Sequence, residues 1–155
     1  MPTQSRNTLS PHEIELRLSL SGGSMVSQDS RRPAATVMRD LLAAESQDAV
    51  AWKEWSEPGR AGVQMHVLYA TEPPQEAVAF LVRYSPGAHG DLHRHLGYEL
   101  MFVLAGEMVT GKGALYRTGD LVIEAPGSVH QITTETGFTV LAVREAPTVP
   151  MTGAR

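Results

Sequence analysis

The chain has 155 residues, 42% of them apolar and 19% charged, which suits one domain with its own core and argues against wholesale disorder. Seventeen acidic residues against thirteen Lys and Arg leave a net charge of −4, which disfavours nucleic acid as a partner. The absence of cysteine excludes disulfide scaffolds, thiolate zinc sites, iron–sulfur clusters and a cysteine nucleophile.

Residues 1–32 are rich in Ser, Thr, Gln and Arg and contain Ser21-Gly22-Gly23-Ser24, a linker composition that predicts a flexible leader. Residues 13–18 alternate like a strand and are its one exception. No apolar stretch follows the basic positions as in a signal peptide, and no run approaches the roughly 18 residues of a membrane span. A cytoplasmic protein without a membrane partner is therefore the default. Val37, Met38, Leu41, Leu42 and Glu45 recur at helical spacing behind Pro33, so a short amphipathic helix is expected over 33–46. Trp52 and Trp55 follow in a stretch that reads as an edge strand, with core anchoring as their expected role.

Beyond Pro58-Gly59 the texture is β. Short runs at 63–70, 77–84, 98–105, 114–117, 121–124, 129–133 and 138–143 are rich in branched and aromatic residues. Turn signals such as Pro86-Gly87, Gly119-Asp120 and Pro126-Gly127 separate them. Many short strands with no intervening helix predict an all-β sandwich or barrel. One domain is expected over 33–147, followed by an irregular tail over 148–155 that carries Pro150.

Four of the six histidines fall between positions 89 and 130. Side chains alternate along a strand, so His93 and His95 share a face with Arg94 opposite. Glu99, past a turn at Gly97, can approach from the next strand. His130 begins a run directly after Pro126-Gly127, where a barrel would present it inward. Imidazoles and a carboxylate converging in this way make a divalent-metal site of nitrogen and oxygen ligands. Alternation from Glu99 also turns Met101 and Val103 inward, and alternation from His130 does so for Ile132; these positions line a pocket or fill the core. His89 is either an acid–base residue at the barrel mouth or a solvated loop residue, and Arg83 either binds a substrate oxygen or points outward. His66 reads as structural or superficial.

The string from Gly87 through His93, His95 and Glu99 to Gly106 resembles the first cupin motif, and Gly119, Gly127 and His130 resemble the second. Ala125 stands where that motif expects proline, and Thr134 where it often has asparagine. Across residues 60–145 the chain is similar to ChrR-like cupin domains and to small bacterial oxygenases that cleave diketones or hydroxyacetophenones. The resemblance implies a double-stranded β-helix, a jelly-roll barrel preceded here by the short N-terminal helix, and a homodimer. It implies one divalent ion held by His93, His95, Glu99 and His130, with Glu99 either a permanent ligand or a catalytic base. Iron(II) is favoured, with zinc, manganese or nickel as alternatives. The expected activity is a dioxygenase cleaving an activated carbon–carbon bond of a small enolisable molecule. A zinc-type cyclase, isomerase or dehydratase, and a sensor without turnover, are the alternatives.

Overall fold

The computed structural model describes residues 35–56 and 60–151. The leader, its strand-like 13–18 run, Pro33 and the Pro58-Gly59 turn lie outside the described residues. Among the described residues the elements are a helix, α1 (Ala44–Asp48), and eleven strands: β1 (Lys53–Glu54), β2 (Val63–Ala70), β3 (Val78–Tyr84), β4 (His93–His95), β5 (Glu99–Thr110), β6 (Leu115–Arg117), β7 (Leu121–Glu124), β8 (Val129–His130), β9 (Ile132–Thr133), β10 (Phe138–Arg144) and β11 (Thr148–Pro150).

Every strand pair is antiparallel. The larger sheet runs β1-β2-β3-β10-β5-β6, with β7 and β9 also pairing with β5, and the smaller sheet runs β11-β4-β8. This is an all-β jelly-roll barrel. Its backbone donors and acceptors are largely paired along the ladders, as burial demands.

The barrel has an apolar layer on each side of its main sheet. Inside, Val78, Phe80, Val82 and Tyr84 of β3 face Met101, Val103, Phe138 and Val140. Tyr84 stacks on Phe138 at a centroid distance of 4.4 Å. Outside, Leu81 and Leu104 are covered by Met38, Leu41, Val50 and Trp52 from the N-terminal segment. Burial on both faces explains why β3 reads as a continuous apolar run. Leu81 is 1% exposed, and burying such a side chain stabilises the fold by about 1.5–3 kcal/mol.

Two expectations are corrected here. The helix is Ala44–Asp48, not 33–46. Asp40 has φ +52°, a left-handed conformation that a right-handed helix cannot pass through. Met38 and Leu41 are half-buried by lying across the outer sheet, while Val37 and Leu42 stay exposed. The expected irregular tail also begins with a strand: β11 pairs with β4, setting Thr148 against His95 and Pro150 against His93. Proline is tolerated there because β11 is an edge strand. Trp55 is a core residue, as anticipated, and β1 beside it is an edge strand.

One irregularity decides which residues of β5 face inward. Its register with β10 shifts between Thr139 and Val140. Glu99, Met101 and Val103 are buried before the shift, and Met108 is fully buried after it, so the inward parity changes along the strand. Thr134 supports the adjoining turn: its hydroxyl donates to the Glu107 carbonyl at 2.8 Å and accepts from the Gly137 N–H at 2.9 Å. The turn before β8 has Pro126 and Gly127 at its centre, with Gly127 at φ +85° and the Ser128 N–H donating to the Ala125 carbonyl at 3.0 Å. That is the signature of a type II turn, and the Ala125 departure leaves it intact.

Candidate metal centre

Pairing across β4 and β8 sets His93 opposite His130, and strand alternation puts His95 on the same side two residues on. Arg94 between them is exposed. Glu99 opens β5 after the Gly97 turn. In the adjacent strands Arg144 of β10 and Glu124 of β7 lie directly across from it, so one row reads Arg144–Glu99–Glu124. His93, His95, Glu99 and His130 are all buried, and one ligand atom from each lies within 4.8 Å of the others.

The geometry fits a cation. His130 Nε2 is 3.0 Å from His93 Nε2 and 3.3 Å from His95 Nε2. Nitrogens held about 2.1 Å from one ion at right angles are themselves about 3.0 Å apart. The far side of two rings is anchored. The Asp91 carbonyl, 2.8 Å from His93 Nδ1, can only accept, so Nδ1 carries the proton and Nε2 presents a lone pair. The Glu124 carboxylate, 3.0 Å from His130 Nδ1, does the same for that ring. His95 Nδ1 lies 3.1 Å from Glu99 Oε2 without hydrogen-bond alignment.

Burial sets the protonation. It pushes His93 down to about 3, and His95 to about 4, and His130 lies below its ordinary value for the same reason. Three neutral imidazoles therefore face one another at neutral pH, the form a metal requires. Burial raises Glu99, while Arg144 and Arg60 pull it back. Burial also raises Glu124, but the Ser128 and His130 side chains outweigh it and hold that carboxyl below its usual range.

Two expectations follow. Glu124→Gln should weaken metal binding about 10–100-fold, the usual cost of losing an orienting partner, while His130 stays in place. Metal competition titrations would measure it, and unchanged affinity would remove Glu124 from that role. The second concerns acid. An unfolded histidine takes up its proton near 6.5, and the buried ones do so only far lower. The metal-free protein should therefore lose stability as pH falls from about 6.5 toward 4. Glu99, whose shift is upward, acts with the opposite sign, but three imidazoles oppose one carboxyl. A melting temperature that rises over that range would contradict this assignment.

Beside the four residues lies a cavity lined by both guanidiniums, Arg60 and Arg144, and by Trp55, Phe80 and Tyr84. His93, Glu99, His130, Met101 and Ile132 form another part of its wall. Val103 is on the same face but sealed in the core, the second of the two places left open for it. Arg83 takes the outward of its two alternatives: alternation with buried Val82 and Tyr84 turns it away from the cavity, over the Trp52 ring at 4.6 Å and paired with Asp48 at 3.0 Å. His89 is exposed beside buried Ala88, and its backbone bridges to Thr133, so it does not reach the cavity. His66 faces the Ala51 carbonyl at 3.1 Å, a superficial position.

Sequence reasoning missed Arg60, Tyr84, Glu124 and Arg144. Alternation from Phe138 and Val140 turns Arg144 inward, and alternation from Phe80 and Val82 does so for Tyr84, so both carried a usable signal. Arg60 lies in a loop and carried none.

The family model described as the ChrR Cupin-like domain matches residues 43–148. No curated protein matches the chain. Among solved structures, a cupin-fold protein of unknown function from Ralstonia eutropha shares 24% identity with a TM-score of 0.56, and the match covers 61% of each chain. An acetylacetone dioxygenase from Acinetobacter johnsonii shares 11% identity over 84% of this chain and 85% of its own, with a TM-score of 0.60. The polyketide cyclase RemF from Streptomyces resistomycificus shares 19% over 69% of this chain and 83% of its own, with a TM-score of 0.59.

Proposed function

This chain belongs to the ChrR cupin-like family, and on that premise we propose that it is a metal-dependent enzyme acting on a small organic molecule, an iron(II) dioxygenase that cleaves an activated carbon–carbon bond of an enolisable ketone. The observation that carries the reading is the convergence of His93, His95, His130 and Glu99, with His93, Glu99 and His130 in the wall of a largely apolar cavity. The similarity in fold to an acetylacetone dioxygenase supports the choice of chemistry.

In this reading the three imidazoles and Glu99 hold the ion. Iron(II) would supply oxygen-dependent cleavage there, whereas zinc would supply Lewis acidity for a non-oxidative step. The chain's own residues do the rest. Met101, Ile132 and Phe138 keep water from the substrate's apolar part. Tyr84, raised by burial, keeps its proton and serves as a hydrogen-bond donor. Glu99 is either a permanent ligand or, released from the ion, the base that takes a proton from an enolisable carbon. The similarity to a polyketide cyclase favours the non-oxidative step as the second reading.

We propose a cytoplasmic location, with which the lack of cysteine is compatible; among the described residues no helix is long and apolar enough to cross a membrane. Leu100, Leu121 and Ile123 stay exposed on the outer face of β5 and β7, which supports a homodimer.

The test is elemental analysis of protein purified without added metal, followed by oxygen uptake with iron and a β-diketone or hydroxyacetophenone. Iron near one per chain and oxygen consumed in step with substrate are expected. Zinc with no oxygen uptake would move the assignment to the non-oxidative reading. Protein that takes up no divalent metal would end both.

A further inference from the structure

Next to the cavity at the four-residue centre lies a second one, whose far wall is made by Met65, Val67, Ala70 and Val78. Trp55, Phe80 and Arg144 belong to the walls of both. Strand pairing explains why the two adjoin. One row across the sheet runs Ala70–Val78–Arg144–Glu99, so the second cavity lies on the row that carries Glu99, beyond Arg144.

A bulge opens this second space. The register of β2 and β3 shifts between Val67 and Tyr69. Strict alternation from Met65 and Val67 would send Tyr69 inward. After the shift Tyr69 is exposed, and Ala70 lines the cavity instead. A methyl group thus stands where a phenol ring would have filled the interior.

The partition between the cavities is held by packing. The Trp55 ring meets Phe80 edge-on at a centroid distance of 6.0 Å, and the Arg60 guanidinium lies 4.6 Å from its own centroid. Its indole N–H is buried and has no acceptor. The main chain is pinned separately, through the Trp55 backbone N–H donating to the Val63 carbonyl at 2.9 Å. Turning the ring aside therefore breaks no hydrogen bond, and it gives a buried donor the chance to gain one.

We propose that the substrate is elongated: its enolisable end meets the four-residue centre, and an apolar chain of several carbons runs past Trp55 into the second cavity, with Ala70 setting the length accepted. The proposal narrows the substrate class of the enzyme argued above and rests on that reading for the reaction, but not for the binding it predicts. Each methylene buried in such a space raises affinity by about three- to fourfold.

The probes are butanone, hexanone, octanone and decanone, each as the straight-chain methyl ketone, titrated calorimetrically into zinc-loaded and metal-free protein. Affinity should rise at least about tenfold from butanone to octanone and level off once the second cavity is full. Ala70→Leu fills that cavity; it should erase most of the rise and leave butanone binding unchanged. Val67→Ala enlarges it and should carry the rise on to decanone. In a Trp52→Phe background Trp55 is the one tryptophan left, and octanone but not butanone should change its emission. A flat series, a rise untouched by both cavity substitutions, emission indifferent to octanone, or binding of none of the ketones would overturn the proposal. No probe has to react, so failure of the oxygen-uptake test leaves this one readable. Zinc per chain, read in the same samples, reports separately on the four-residue centre.

Discussion

Alanine in place of His130 should strip the protein of its metal while leaving the barrel folded. His130 Nε2 is the atom within 3.3 Å of both other imidazole nitrogens, so its loss opens one side of the cluster. An orienting partner alone is worth roughly 10–100-fold in metal affinity, and a lost ligand costs more than that. It also leaves Glu124 without the ring it orients. The fold should survive because β8 is two residues long and the barrel core is built mainly on β2, β3, β5 and β10. The measurement is metal per chain after dialysis against a weak chelator, with circular dichroism as the control. A folded variant that keeps one equivalent of metal would remove His130 from the site. The same experiment on His93→Ala and His95→Ala tests the remaining imidazoles, and Glu99→Ala separates a ligand from a base.

The second large effect is on stability. Gly106→Ala should destabilise the barrel by about 3 kcal/mol or more, or prevent folding altogether. Gly106 has φ +79°, a conformation that side chains resist. A Cβ there would also collide with the Gly137 carbonyl oxygen and come within 2.8 Å of Phe138 Cα. Both obstacles are backbone, one just before β10 and one at its first residue, so neither can rotate away. The clash falls beside the register shift of β5 and β10 that reverses the inward parity, and relief would mean sliding that pairing. Chemical denaturation would measure the loss; a variant within 1 kcal/mol of the parent, a threshold set by the ordinary spread of surface substitutions, would contradict it. Gly113→Ala is the control, since a Cβ there meets nothing within 4 Å and carries only the backbone penalty of φ +81°.

The two motifs were legible because strand alternation acts at short range. His-x-His needs nothing beyond a local strand to put both rings on one face, and β4 supplies one. The same rule turned Met101 and Ile132 inward. It also carried the outward placement of Arg83, between Val82 and Tyr84, which was left open beside the inward one. Other features depended on contacts distant in sequence. Met38 and Leu41 match a helical period, yet their burial comes from lying across Leu81 and Leu104. Met108 faces inward because of the register shift, which nothing in the local pattern of β5 announces. The three-residue strand after Pro147 is defined by its partner rather than by its own propensity, and its proline disguised it. Arg60 approaches the cavity from a loop, where no periodicity operates.

The histidine-bearing strand β4 has only three residues of its own, yet β8 and β11 grip it from both sides. The Met151 N–H donates to the Leu92 carbonyl at 2.9 Å, and the Leu96 N–H to the Pro147 carbonyl at 3.4 Å, which closes the grip at either end. Trimming the chain behind Ala146 by a protease would release one flank of His93 and His95 without altering any of the four residues themselves. Residues 147–151 would thus hold a veto over any cation at the centre: a clipped molecule, little changed in mass and still barrel-shaped, would be a silent contaminant in any titration of the intact one.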